Sequence, residues 1–262
     1  MKTGILITAR LGSTRLERKH LLEVNHQPMI LYLIRRIRRA FDGEIRENTA
    51  RVVIATSDEP ENRTFETFKA DGVSVFYGSV NNIPLRHLQT AEALGLDAIV
   101  SVDGDDVLCS PRGMRDVYAA LLKGAPYAAT GGLPFGMNSF GYRFDFLSAS
   151  IEAHAHDTLE TGWGRIFDPG RLHQIDIPFA VQNNDLRFTL DYEEDYRFFK
   201  ALIERFGEGI IEADDDEIVS VVLKENLFRL NETVSKQYWD NFYRIQKQEA
   251  EISRDTTEAS GR

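Results

Sequence analysis

The chain has 262 residues, 42% of them hydrophobic and 27% charged, and 31 Lys and Arg stand against 41 Asp and Glu for a formal net charge of −10. That length and apolar content can bury a substantial core, as one large α/β domain or two small ones, and we expect one domain over 1–248 with an insertion near 130–180. The acidic balance argues against general nucleic-acid binding, which needs a net basic face, and the lone cysteine, Cys109, excludes a disulfide framework and a thiolate metal site.

From the amino terminus, residues 5–8 read as a buried strand, and 28–41 repeat their apolar positions at helical spacing. Strands are predicted at 52–55, 73–77 and 98–102 and helices at 61–70, 84–95 and 111–122, an alternation that implies βαβ units and a mostly parallel sheet. After Tyr127 the rhythm changes. The stretch TGGLPFGMNSFGYRF, rich in Gly and aromatics, suits an irregular loop leading into a strand over 141–146. A helix near 148–157, strands near 173–177 and 186–190, and helices near 193–206 and 214–227 follow, and no internal repeat is visible. Residues 249–262 are expected to form a flexible tail. No apolar run approaches a membrane span and the first residues lack a signal-peptide profile, so we expect a cytoplasmic protein with no membrane partner.

The loop between the first strand and the first helix carries Arg10, Gly12, Ser13, Arg15, Arg18 and Lys19. Open α/β sheets bind ligands outside the carboxyl ends of their strands. Gly12 removes a Cβ that would hold a phosphate away, Ser13 and Thr14 offer donors, and Arg10, Arg15 and Lys19 can neutralise phosphate oxygens. A basic loop this concentrated in an acidic chain reads as a triphosphate grip rather than a solvated surface. It contains neither G-x-x-x-x-G-K-[ST] nor G-x-G-x-x-G, which removes P-loop and hydride-transfer chemistry. Arg35, Arg36, Arg38 and Arg39, on the following helix, read instead as a solvated face.

Two distant carboxylates complete the pattern. Asp105 follows a predicted strand within a GDD turn and Asp191 ends another, so both can face one sheet edge, and Mg²⁺ takes one or two carboxylates plus substrate phosphates. Asp103 and Asp106 crowd the same turn, where three carboxylates repel one another unless a cation is present or one protonates. Which of the three ligates directly stays open. Asp195, four residues after Asp191, reads as a helix cap or as a residue that supports a ligand from behind, without a catalytic role. His154 and His156 are two apart and lack the i, i+4 geometry of a zinc helix, and none of the six histidines makes a persuasive base.

Five segments, in order, carry a resemblance. ITARLGSTRLERK is similar to x-A-R-x-G-S-x-R-x-x-x-K, ARVVIATSDEPEN to a second strand with its V-A-T-[ST]-D turn, and IPLRH to L-x-R-[YF]. AIVSVDGDDVLCSP is similar to x-x-V-x-G-D-x-P-x-x-x-P, and LRFTLDYEEDY to R-x-T-[VL]-D-x-x-E-D. Together they resemble the bacterial cytidylyltransferases that activate acidic sugars as CMP conjugates: the CMP-Kdo and CMP-sialic acid synthetases and the spore-coat polysaccharide branch. The resemblance implies a Rossmann-like nucleotidyltransferase fold, Mg²⁺ as cofactor, CTP as one substrate and an acidic sugar-like acceptor as the other, with pyrophosphate leaving. It assigns phosphate chemistry to Arg10, Arg15 and Lys19. The nucleotide would lie against Ala9, Arg10, Gly12, Ser13, Ser57, Asp58 and Arg86, and the metal at Asp105 and Asp191. Helix-surface solvation is the competing reading of Arg86.

The acceptor side departs from the family. Its P-x-G-x-D-x-E and R-E-H-x-T segments are replaced here by PFGMNSFGYRFDFL and ETGWGRIFD. Arg143, Trp163 and Arg165 are left as candidates for an anionic, ring-shaped acceptor, with a buried Trp beside surface arginines as the plainer alternative. The family commonly forms homodimers, for which the aromatics of 140–146 or the stripe Tyr238, Trp239, Phe242 and Ile245 could serve, if they do not pack on their own domain. Two other classes fit less well: a sugar-phosphate nucleotidyltransferase using another NTP, which more often opens with a Gly-rich loop, and a catalytically inactive nucleotide-binding scaffold.

Overall fold

The computed structural model describes residues 1–154, 158–179 and 186–260. In chain order the elements are β1 (Thr3–Thr8), β2 (Glu23–Val24), β3 (Gln27–Pro28), α1 (Met29–Ala40), α2 (Asp42–Arg46), β4 (Ala50–Ser57), β5 (Val73–Gly78), α3 (Ile83–Leu94), β6 (Ala98–Asp103) and α4 (Pro111–Leu122). There follow β7 (Tyr127–Gly131), β8 (Phe140–Arg143), α5 (Phe144–Ala153), β9 (Leu172–Asp176), α6 (Glu193–Phe206), α7 (Asp215–Lys224) and α8 (Val234–Ser260). Seven strands form one sheet in the order β5-β4-β1-β6-β8-β7-β9. Within it β8 pairs antiparallel with both β6 and β7, whereas the other pairings are parallel.

The central strands are continuous apolar runs because both faces are covered, as the βαβ alternation predicts. Ile5 and Ile7 of β1 pack with α1 and α4 on one face, and Leu6 packs with the aromatic cluster of β8 and α5 on the other, all fully buried. A third core joins Met29 and Tyr32 of α1 to Phe198, Leu202, Ile218 and Val222 of α6 and α7. Capping sets the helix starts. Asn82 accepts from the N–H of Leu85 ahead of α3, and Ser110 from that of Gly113 ahead of α4, each followed by a proline in the first turn. The β2–β3 hairpin turns through Asn25 and His26, both left-handed, as a two-residue hairpin requires.

Several expectations change. Residues 60–68 wind as a 3-10 helix rather than an α-helix. Part of the expected irregular loop after Tyr127 is strand β7, and the strand expected over 141–146 stops at Arg143, where α5 begins. The strand expected over 186–190 makes one bridge only, between Phe135 and Arg187, and 180–185 lie outside the described residues. Arg36 is not on a solvated face: it is fully buried and donates from Nη1 to the carbonyls of Ile210 and Ala213 at 2.5 and 3.0 Å. Its burial pushes the guanidinium pKa down. Tyr238 packs against Phe135, while Trp239 and Tyr243 keep 39% and 61% of their surface exposed. No helix among the described residues is long and apolar enough to cross a membrane.

Candidate active site

Sheet register brings the expected residues to one edge. Thr8 of β1 lies level with Ala55 of β4 and Asp103 of β6, so the turns after these strands open on the same side. Gly104 donates to the carbonyl of Thr8 at 2.8 Å, and a Cβ on it would come within 2.9 Å of Ala9 Cβ and 3.0 Å of the Thr8 oxygen. Only glycine lets the two turns approach this closely. At Gly12 the space is open, with Glu61 Oε1 the nearest contact at 3.7 Å to an added Cβ. The loop itself is fixed by Asn62, a buried residue the motifs did not single out. Its Oδ1 accepts from the N–H of Leu11 at 2.8 Å and its Nδ2 donates to the carbonyl and hydroxyl of Ser57.

The centre of the site is Lys19. Its Nζ lies 2.5 Å from Asp105 Oδ2 and 3.1 Å from Asp191 Oδ1, so one ammonium brings together two carboxylates 86 residues apart. Burial alone would lower its pKa, but Asp105 and Asp191 outweigh burial and raise it. Arg15 Nη2 reaches Asp191 Oδ1 at 2.5 Å. Asp191, itself buried, is held ionised below the usual carboxylate range: burial opposes this, and the charges of Lys19, Arg15 and Arg187 overcome it. His20 Nε2 is 3.6 Å from Asp105 Oδ1, yet burial pulls its pKa down to about 4, which leaves the ring neutral.

Behind Asp191 stands a clamp that the sequence reading did not assign. Arg187, 2% exposed, donates to Asp191 Oδ2 at 2.9 Å and to both oxygens of Asp195. Asp195 caps α6, accepting from the N–H groups of Asp191 and Tyr192, and also from Asn231 Nδ2 at 2.9 Å. The sequence signal for Arg187 was its place as the leading Arg of the R-x-T-[VL]-D match, four residues before Asp191. Leu190 donates to the carbonyl of Asp105 at 2.9 Å, which ties the two carboxylate segments together directly.

Other expected positions divide. Arg10 pairs with Glu160 at 2.5 Å, and Ser57 donates to Glu59 at 2.6 Å. Asp58 pairs with Arg63 at the surface. Arg86 is buried and not on a helix surface. It donates to the carbonyls of Ser79 and Val80, and burial lowers its pKa to about 10 against the pull of Glu160. Of the three acceptor candidates, Arg143 is not brought to the carboxylates. Arg143 is level with Ala98, at the amino end of β6 and the opposite sheet edge, and Trp163 is buried among His87, Phe140, Tyr142 and Phe167. Arg165 donates to the carbonyls of Thr161 and Gly162 at the surface.

Among the described residues no group of three or more His, Cys, Asp and Glu forms a metal cage. Two carboxylates that already share one cation fit an oxygen-seeking ion that completes its shell with substrate phosphates. Burial, followed by its acidic neighbours, pushes Asp103 up to about 7 and Asp106 well above its ordinary value.

A parallel sheet whose carboxyl edge sets cationic side chains over a carboxylate pair defines a nucleotidyltransferase-type site. The sequence profile of the cytidylyltransferase family matches residues 4–150, and the protein belongs to that family. It is 29% identical over 212 residues to the spore coat polysaccharide biosynthesis protein SpsF of Bacillus subtilis, covering 78% of this chain and 87% of that one. It is 33% identical over 132 residues to a 3-deoxy-manno-octulosonate cytidylyltransferase of Acidovorax, covering 48% and 46%. Among solved structures, a cytidylyltransferase from Leptospira borgpetersenii superposes with a TM-score of 0.74 at 25% identity over 88% of this chain and 98% of that one. A CMP-2-keto-3-deoxy-manno-octonic acid synthetase with CTP shares the fold, with a TM-score of 0.57 at 16% identity, covering 78% and 99%.

Proposed function

We propose that the protein is a Mg²⁺-dependent enzyme that transfers CMP from CTP to an acidic sugar of a polysaccharide precursor. The observation that carries this reading is the contact of Lys19 with Asp105 and Asp191 beside Arg15. An oxygen of the acceptor attacks the α-phosphorus, the bond to the β-phosphate oxygen breaks, pyrophosphate leaves and the acceptor proton passes to solvent. Arg15 and Lys19 stabilise charge on the phosphate oxygens, which is where most of the barrier lowering in phosphoryl chemistry arises. Asp105 and Asp191 would hold Mg²⁺, Arg187 helps Lys19 and Arg15 keep Asp191 ionised, and Asp195 holds the Asp191 backbone in place. When bound, the ion supplies Lewis-acid polarisation of the phosphates. We assign Arg10, Ser57 and Arg86 to the nucleotide, and the SpsF and 3-deoxy-manno-octulosonate relatives support an acidic glycan precursor as acceptor.

Calorimetric titration of CTP, UTP, GTP and ATP, each with and without Mg²⁺, tests the reading. We expect CTP to bind most tightly and Mg²⁺ to strengthen it. Tighter binding of another nucleotide would place the enzyme among transferases of different base specificity, and no binding to any would leave only a scaffold. Lys19→Ala and Asp105→Ala are each expected to abolish pyrophosphate release with the fold retained by circular dichroism, and near-normal turnover in either would remove its assigned role.

A further inference from the structure

We propose that the cleft between α8 and Arg15 is the acceptor subsite and that it takes a carboxylate-bearing polyhydroxy ligand, an inference that rests on the nucleotide reading above. The cleft has a volume of about 540 Å³, enough to hold a small ligand. Three cations line it, Arg15, Lys236 and Arg244, against one carboxylate, Asp240, with the amides of Gln237 and Asn241 between them. In a chain of net charge −10, this local excess of positive charge selects an anion.

The helical period produces the surface. Residues 236, 240 and 244, like 237 and 241, are four apart and so form adjacent rows on one side of α8. Tyr238 and Phe242 turn inward instead: the Tyr238 ring lies 4.3 Å from the Arg187 guanidinium, and Phe242 closes against Gly162. Arg15 belongs both to the cleft and to the carboxylate pair, its Nη2 being 2.5 Å from Asp191. A ligand in the cleft therefore abuts the place where the α-phosphorus reacts. The Arg244 guanidinium, already steadied by Asn241 at 2.6 Å and Gln248 at 3.3 Å, presents a fork that matches a carboxylate. The amides suit hydroxyl groups, and the Tyr192 ring, 5.7 Å from the Arg15 guanidinium, offers a face to a sugar ring. All of α8 lies outside residues 4–150, the stretch matched by the family profile. Of the residues proposed from sequence, Arg143 stands at the opposite sheet edge and Trp163 is buried in an aromatic cluster, whereas this cleft presents several anion-binding groups together.

The test uses the full chain with CTP and Mg²⁺ and reads pyrophosphate release. The carboxylated probes are N-acetylneuraminate, 3-deoxy-manno-octulosonate and glucuronate, the phosphorylated probe is glucose 1-phosphate, and CTP binding is measured in parallel by calorimetry. We expect turnover of at least one carboxylated probe. Lys236→Ala and Arg244→Ala should each raise its KM by about tenfold or more, the scale of one charge-assisted hydrogen bond, with CTP affinity unchanged and Arg244→Lys recovering part of the loss. An unchanged KM in both alanine variants would place the acceptor elsewhere. Turnover of glucose 1-phosphate alone, or of no probe while CTP still binds, would overturn the carboxylate class. Failure of the wild-type protein to bind CTP would instead sink the nucleotide reading on which this one depends. Both side chains are exposed on a helix, so unfolding is not the expected route to a raised KM.

Discussion

At the scale of single residues, the most consequential buried group outside the carboxylate cluster is His87. Its Nε2 lies 2.8 Å from the hydroxyl of Thr8 at the end of β1, and its Nδ1 meets the hydroxyl of Tyr142. Burial, and then the neighbouring charge of Arg86, pull its pKa down to about 3 from 6.5. The folded ring stays neutral where the unfolded one protonates, so the unfolded state binds more protons and stability falls as pH drops from about 6.5 towards 3. One such histidine removes about 2 kcal/mol between pH 7 and pH 5. Asp103 and Asp106, with raised pKa values, act with the opposite sign over much of that range, and His20 acts with the same sign. His87→Gln isolates the contribution: urea unfolding at pH 7 and pH 5 should show a pH-dependent loss smaller in the variant by about that amount, and equal losses in the two proteins would dismiss it. Arg36 teaches the complementary lesson about reading sequence. Its position, three residues after Leu33 and four after Tyr32, puts it on the buried face of α1, but its charge argued for solvent. The carbonyls that its Nη1 reaches, at Ile210 and Ala213, lie more than 170 residues away, a distance no local pattern bridges.

Among elements, the run 186–191 carries the site although it is not a ladder strand. It is fastened by Phe188 N–H to the Phe135 carbonyl at 2.7 Å and by Leu190 N–H to that of Asp105. Gly136 makes the first contact feasible: its φ is +87°, and an added Cβ would stand 2.3 Å from the Phe188 oxygen. Gly136→Ala should therefore cost about 2 kcal/mol or more and lower turnover further by shifting Asp191, as thermal melts and steady-state rates would show; a variant with wild-type stability and rate would mean the backbone moves aside freely. The principal strands and helices up to α4, together with α6, were legible because apolar period and caps are local signals. The regions that changed lack such signals. The 60–68 segment opens with a proline and is polar, and 140–146 is so aromatic that strand and helix patterns look alike there. Asp105, Asp191, Lys19 and Arg15 were legible as a motif set; Arg187 stood in the same motif without an assigned role, and the hold of Asn62 on the loop and the α8 cleft emerge only when distant segments meet.

Across the whole molecule, stability should be graded from the sheet centre outward. β1 lies between β4 and β6 with both faces covered, whereas much of α8 from Lys236 to Arg244 faces solvent. Hydrogen exchange should be slowest in β1, β4 and β6 and fastest in α8. Comparable protection of α8 and β1 would mean that the helix is bound far more firmly than its contacts indicate. The same long-range architecture sets a timetable for synthesis. Arg15 and Lys19 leave the ribosome early, but their carboxylate partner Asp191 lies 176 and 172 residues further along. At ordinary translation speeds that interval is on the order of ten seconds to half a minute. Until it has passed, Lys19 has Asp105 as a partner, made 86 residues after it, but Arg15 lacks its carboxylate, and turnover cannot begin on an unfinished polypeptide.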